Sequence, residues 1–291
     1  MKFAKIFLIA VPLVALLLSS CDKIKTPYAT SKHGNITDTV MDWDTVVPIK
    51  RVLLEDYTGH KCVNCPEASV IAHTLEASNE GKLIVLAVHA GYQALPGTGE
   101  YAADYRSEAG EAWNIDFGIN SINPQGMVDR KEFDGTRILS KDVWSNYVEL
   151  ALSESPQVLM IISNTYDTNT RSVKSVIYSK FQNTLSGEFT LSVCVVEDSL
   201  ISGQKNNNPS VGTTPDIHNY VFLDVMRGSV NGTYGEILTT AVDPYLTYMG
   251  KFSIPIDPDI WKAKNCWILA FVSNVKTKEI LQAIKKRVIT E

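Results

Sequence analysis

Between residues 51 and 88 two nearly unbroken apolar runs bracket a single helical period, and that arrangement restricts the fold more than any other feature of the chain. Residues 51–57 read as a buried strand, 58–61 as a loop, 66–80 as a helix closed by Gly81, and 83–88 as a second strand. Strand, helix and strand within about forty residues form a βαβ unit, whose parallel strands need a right-handed crossover and burial on both faces. With 291 residues, 45% of them hydrophobic, the chain is long and apolar enough for two such cores. Gly91, Gly97 and Gly99 then mark a loop, and the polar helical stretch at 100–113 reads as an insertion. A third strand is expected at 126–130, and Ser140 caps a helix in which Val143, Tyr147 and Leu150 share a face.

Past Pro156 the periodicity changes. Seven short runs, at 158–163, 172–181, 189–196, 219–225, 246–254, 266–272 and 279–288, alternate or are continuously apolar, which predicts an antiparallel β-sandwich. No internal repeat is visible, and Asn206, Asn207 and Asn208 mark a loop.

The first twenty residues read as an export signal. Lys2 and Lys5 give a basic start, and the apolar run at 6–18 is too short to span a bilayer well. It ends in Leu18-Ser19-Ser20-Cys21, which resembles a bacterial lipobox with Cys21 as the acylated residue, so the lipid bilayer is an expected partner through that anchor. Residues 21–46 lack sustained periodicity and read as a tether, with Trp43 expected to dock on the folded part. A formal net charge of −5, with no basic cluster longer than Lys285-Lys286-Arg287, excludes a nucleic-acid footprint. Export also permits cysteine oxidation, and four cysteines remain beside Cys21: Cys62, Cys65, Cys194 and Cys266.

The pair Cys62-Val63-Asn64-Cys65 falls at the handover from the first strand to its helix. Unpaired N–H groups and the dipole at a helix amino end stabilise a thiolate, and Lys61 adds a cation, so Cys62 is expected to be acidified and nucleophilic, with Cys65 resolving. Two other readings compete: half of a zinc site completed by Cys194, Cys266 or a histidine, and a merely structural disulfide. Haem attachment needs a histidine after the second cysteine, where Pro66 stands. No cofactor or metal follows from the pattern.

This arrangement resembles a thioredoxin-like fold. Asp56 lies six residues before Cys62, where such proteins carry a buried acid that takes protons from the resolving thiol, and Glu55 competes for the same role because strand parity alone does not choose between them. Within Phe117-Gly118-Ile119-Asn120-Ser121-Ile122-Asn123-Pro124, the resemblance makes Pro124 the cis-proline whose neighbouring backbone pairs with an extended polypeptide. The residue before the first cysteine, often aromatic in such proteins, is Lys61 here, and the dipeptide between the cysteines is Val-Asn.

Several stretches together resemble a family of Bacteroidetes-type outer-membrane lipoproteins named after a twenty-eight-kilodalton outer-membrane protein. They are the lipobox, the segment from Tyr57 to Pro66, the Arg106–Gly110 helix start, Asn123-Pro124-Gln125-Gly126-Met127-Val128-Asp129-Arg130, and the stretch from Ile217-His218-Asn219-Tyr220 to Gly235-Glu236. The resemblance implies an outer-membrane location, periplasmic or surface-facing, and a thioredoxin-like domain followed by a sandwich, in proteins described as surface or adhesin-like.

Elsewhere, Cys194 and Cys266 are read as two buried thiols or a cross-sheet disulfide. His60 is a candidate for acidifying Cys62, His89 and His218 for lining a domain junction, and His73 for a solvent-facing helix position. Asp38-Thr39-Val40, Asp44-Thr45-Val46 and Asp198-Ser199-Leu200 resemble O-glycosylation acceptors. The resulting expectation is a signal at 1–20, a tether at 21–46, an α/β thioredoxin-like domain at 47–155 and an all-β immunoglobulin-like sandwich at 156–291. Its function would be thiol–disulfide exchange on extracytoplasmic polypeptides through Cys62, Cys65, Asp56 or Glu55, and Pro124. The alternative is a non-enzymatic binding or adhesin-like protein that engages an envelope or host ligand and keeps the Cys62–Cys65 disulfide inert.

Overall fold

The structure, a computed structural model, describes residues 35–119 and 123–289. The expected signal, Cys21 and residues 22–34 of the tether lie outside the described residues.

In chain order the elements are β1 (Asn35–Thr39), β2 (Val52–Thr58), α1 (Cys65–Ser78), β3 (Leu83–His89), α2 (Glu108–Asp116), β4 (Gln125–Val128) and α3 (Trp144–Leu152). There follow β5 (Val158–Asp167), β6 (Ser172–Phe181), β7 (Phe189–Glu197), β8 (Leu200–Lys205), β9 (Asp216–Phe222), β10 (Val225–Ser229), β11 (Glu236–Thr239), β12 (Thr247–Pro255), β13 (Cys266–Asn274) and β14 (Ile280–Arg287). The βαβ unit is present: β2 and β3 pair in parallel from Val52↔Leu83 to Thr58↔His89, joined through α1, and β4 pairs antiparallel on the other side of β2. Pro66 in the first turn of α1 costs the helix little, and the small residues Ala68 and Ala72 let the helix lie close against the sheet.

The strands form an eight-stranded sheet ordered β14-β13-β7-β10-β3-β2-β4 with β11 on β7, a four-stranded sheet ordered β1-β12-β6-β5, and the separate hairpin β8-β9. The long sheet is built from both sides of Pro156, because β10 pairs with β3 at Val225↔Ala87 and with β7 at Val225↔Glu197. It curls until its ends meet. The Ile280 N–H donates to the Asp129 carbonyl at 2.7 Å, and the Lys50 ammonium bridges the Leu281 carbonyl and the Asp129 carboxylate.

Side-chain alternation sorts most of the core into three clusters, and a small fourth gathers Tyr105, Phe222 and Val225. Leu53 and Tyr57 of β2, Leu86 and Val88 of β3, Cys194 and Val196 of β7 and Leu269 and Phe271 of β13 converge inside the curl, where α2 adds Trp113. On the other face of β2 and β3, Val52, Leu54, Leu83 and Val85 meet α1 and α3. The alternate residues Val193, Val195, Ile268 and Ala270 face the four-stranded sheet across a third cluster with Val158, Val173, Ile177 and Phe181. Each fully buried side chain of this size contributes about 1.5–3 kcal/mol.

This overturns the expected fold class, an α/β thioredoxin-like domain followed by a separate immunoglobulin-like sandwich. The described residues are 41% strand and 17% helix with three α-helices, and the βαβ strands have no sheet of their own: it is shared with β7, β10 and β13, and so is the core on one of its two faces. The physical reason is the edge of β3. Left unpaired, it would expose backbone N–H and C=O groups, and β10 covers it.

Candidate functional site: a covered disulfide

After β2 the chain turns through Gly59 and runs to Asn64 before α1 begins. A Cβ at Gly59 would stand 2.5 Å from the backbone of Gln93, so only glycine allows this loop to rest on the segment following β3, where the Lys61 N–H donates to the Gln93 carbonyl at 3.0 Å. Cys62 and Cys65 are joined by a disulfide, with Cα atoms 5.4 Å apart. Their exposures are 1% and 2%. The expected exposed, acidified thiolate at a helix terminus is therefore not what this state displays: α1 starts at Cys65, Cys62 precedes it by three residues, and the Lys61 ammonium lies over the Tyr92 ring.

The cover is the β8–β9 hairpin. Its backbone donates from Lys205 to the His60 carbonyl at 2.8 Å and from Asn207 to the Val63 carbonyl at 3.1 Å. The Gln204 amide donates to the carbonyls of Cys62, at 2.9 Å, and Gly59, at 3.3 Å, while the Asn207 amide donates to the Asn64 side chain at 2.7 Å. None of these hairpin residues is marked by periodicity in the sequence; the only signal is the asparagine run that marks a loop.

Behind the disulfide lies a small, partly open space of about 10 Å³, room for one water, lined by Asp56, Cys65, His89, Gln204, Tyr220 and Phe222. Asp56 Oδ1 and both ring nitrogens of His89 have no partner there. Burial pushes the Asp56 carboxyl up to about 7, against a smaller lowering by His73, and burial with His60 and Arg227 nearby holds His89 well below the usual imidazole range. His60 donates through Nε2 to the Ala103 carbonyl, its ring 5.7 Å from that of His89.

Strand alternation separates the two acids. Asp56 points with Leu54 toward α1 and Cys65; Glu55 points with Leu53 and Tyr57 into the curl, where Arg130 grips it at 2.7 and 2.8 Å and stacks 4.3 Å from the Trp113 ring. Glu55 is thus not brought to the disulfide. The Asn123–Pro124 bond is cis, and Pro124 enters β4 two residues ahead of Gly126, the register partner of Asp56.

A second polar cluster lies further along α1. His73, which is not turned out to solvent, meets Asp224 at 3.2 Å, and Lys285 meets Asp224 at 2.6 Å and Glu76 at 3.4 Å. Although burial alone would lower it, His73 is raised by the Asp224 carboxylate, and Asp224 is held low, against its burial, by His73 and Lys285. The donor atoms of His73, Glu76 and Asp224 lie within 4.8 Å of one another, a spacing suited to a metal ion, yet the Lys285 ammonium already contacts both carboxylates. These residues line a groove of about 980 Å³ between α1 and β5. His218 is exposed and contacts Glu100. Cys194 and Cys266 are unpaired buried thiols on opposite faces of the long sheet, with burial pushing Cys194 up to about 12 and Cys266 higher still.

Comparison with known proteins adds the following. The family model described as outer membrane protein Omp28 matches residues 111–291, more than half of the chain, and begins after both cysteines of the disulfide. Among solved structures, HBP35 of Porphyromonas gingivalis is similar with a TM-score of 0.60 and 17% identity over 83% of this chain and 76% of that one. Protein AGR_C_4864 from Agrobacterium tumefaciens gives 0.51 and 13% identity over 84% and 98%. At these identities the likeness is one of fold. A domain of the outer membrane lipoprotein Omp28 from Porphyromonas gingivalis aligns at 20% identity over 46% of this chain and 88% of that one, with a TM-score of 0.30. No curated protein matches the chain.

Proposed function

The chain belongs to the Omp28 family of outer membrane proteins, and from that premise we propose that it is anchored there through acylated Cys21 and exchanges disulfides with extracytoplasmic polypeptides through Cys62 and Cys65. The observation that carries the reading is the buried Asp56 carboxyl, which lines the same space as Cys65, leaves Oδ1 without a partner and is pushed up to about 7 by burial. A purely structural disulfide gains nothing from a buried acid that destabilises the fold, whereas a resolving thiol needs a proton acceptor of this strength at neutral pH.

The chemistry balances without a cofactor. In the reduced protein the Cys62 thiolate attacks a substrate disulfide, forming a mixed disulfide and releasing one substrate thiolate. Asp56 takes the proton of Cys65, whose sulfur attacks Cys62 Sγ; the second substrate thiolate leaves, and the Cys62–Cys65 bond is restored. Two electrons pass to the substrate, and the reverse sequence oxidises it. Reduction of a peptide disulfide by wild type, Cys62→Ser, Cys65→Ser and Asp56→Asn proteins tests this. Cys65→Ser is expected to accumulate mixed disulfides, and Asp56→Asn to slow turnover most near pH 7. A wild-type rate no higher than that of Cys62→Ser removes the proposal.

The near-complete burial of both sulfurs favours a second reading, a surface-binding or adhesin-like protein in which the disulfide staples the loop and stays inert. Equal rates in all four proteins, with the fold intact, are its expected result.

A further inference from the structure

We propose that the β8–β9 hairpin is a displaceable stand-in for an extended polypeptide, and that the disulfide reacts when an incoming strand takes over the hairpin's place on the cysteine loop. The inference rests on the exchange reading and adds to it the shape of the substrate and the gate that admits it.

An extended segment lies against the cysteine loop and donates to its carbonyls. Lys205 and Asn207, two residues apart, present successive same-side N–H groups to the carbonyls of His60 and Val63, and the side-chain amides of Gln204 and Asn207 add bonds to Cys62 and Asn64. Any extended chain carries N–H groups at that spacing, so the loop's acceptors do not require this hairpin. β8 and β9 pair with each other and join neither larger sheet, and an isolated two-stranded ribbon is marginally stable. The hairpin leaves the long sheet after β7 and returns to it at β10. Ser199 and Asp224, next to its two ends, hold left-handed backbone at φ 60° and 52°, and the Asp224 N–H clasps the Asp198 carboxylate at 2.9 Å. Its tip is internally braced: the Asn206 amide donates to the carbonyls of Asn208, Gly212 and Thr213. The hairpin can therefore swing as one body about two adjacent pivots. What holds it down beyond the cysteine loop is local: Ser202 on the Glu100 carbonyl at 2.6 Å, Tyr101 on Asp216, and at its root a small apolar cluster in which Phe222, Leu200 and Tyr220 pack against Tyr105 and Ala103 beside His60 and His89.

The first test measures how fast dithiothreitol reduces Cys62–Cys65 in full-length, detergent-solubilised protein, read by alkylation of the two sulfurs. The reagent's thiolate attacks Cys62 Sγ, Cys65 leaves and takes a proton, and the reagent's second thiol closes its own ring to free Cys62. The double variant Gln204→Ala with Asn207→Ala is expected to be reduced at least tenfold faster than wild type. Val173→Ala, in the distant core between the two sheets, is expected to lower the unfolding midpoint without that acceleration. An unchanged rate in the double variant, or an equal acceleration in Val173→Ala at a matched midpoint, overturns the gate. In the second test, Cys62 of Cys65→Ser is first converted by 5,5'-dithiobis(2-nitrobenzoate) to its thionitrobenzoate mixed disulfide, and a thiolate of reduced, unfolded ribonuclease or of 2-mercaptoethanol then displaces thionitrobenzoate to form the link. The Lys205 and Asn207 amides are expected to lose hydrogen-exchange protection only with the polypeptide, and protection retained there overturns strand replacement. If the double variant is reduced faster yet no variant passes a disulfide to ribonuclease, the exchange reading fails and the gate stands. If wild type exchanges with ribonuclease while the double variant is reduced no faster than wild type, the gate fails and exchange stands.

Discussion

Burying the Asp56 carboxyl without a partner for Oδ1 makes stability depend on pH in a defined direction. In the unfolded chain this carboxyl loses its proton near 3.8, in the folded protein near 7. Between those values the unfolded state ionises while the folded state stays protonated, so stability falls as pH rises, in full by the time the folded group ionises. At 1.36 kcal/mol per unit the loss is about 4 kcal/mol, an upper figure for a group that a single water can reach. Asp56→Asn is accordingly expected to exceed wild type in stability by a few kcal/mol at pH 8 and to match it near pH 3.5, as read by urea unfolding at both pH values. Glu55 is the opposite case, one residue away. Its charge is held by Arg130, and Arg130→Met leaves that charge buried alone, which costs about 3–5 kcal/mol, whereas combining it with Glu55→Met restores most of the loss. The sequence placed both acids at the right distance from Cys62 but left open which one faces it, because that depends on which side of β2 receives α1, a tertiary fact.

Where burial is continuous or strictly alternating, the elements were legible: β3, β6, β7 and β13 fall within one or two residues of their expected limits. β8 and β11 were not. β8 carries a glycine and polar residues, and β11 is four residues long, so neither produces a period that a single chain displays. β1, within the expected tether, was missed because its burial comes only from the neighbouring edge. The hairpin that covers the disulfide therefore escaped notice, and with it the difference between an exposed thiol pair and a sealed one. The loop beneath it depends on one residue. Gly59→Ala places a carbon against immovable backbone, and a stability loss of about 1–3 kcal/mol is expected, with faster reduction of the disulfide as the loop lifts from Gln93.

At the scale of the whole molecule, the pairing of β10 with β3 joins segments separated by more than a hundred positions, and no local pattern announces such a partner. Two periodicity regimes meeting at Pro156 suggest two units, while the long sheet and its enclosed core run through both. Denaturant unfolding is expected to be a single transition, with the fluorescence of Trp144, on α3, and Trp261, between the sheets, changing at one midpoint when each is followed with the other four tryptophans replaced by Phe; separated midpoints would show the two regions to be energetically independent. The placement of β1 has a mechanical consequence as well. Tension arriving from the amino-terminal side enters the described structure at Asn35, on the outer edge of the four-stranded sheet, where five successive residue pairs bind β1 to β12 and Trp43 pins the following turn to Thr247. Pulled along its own axis, that edge shares the load across all five pairs at once, whereas a sideways pull peels them one by one.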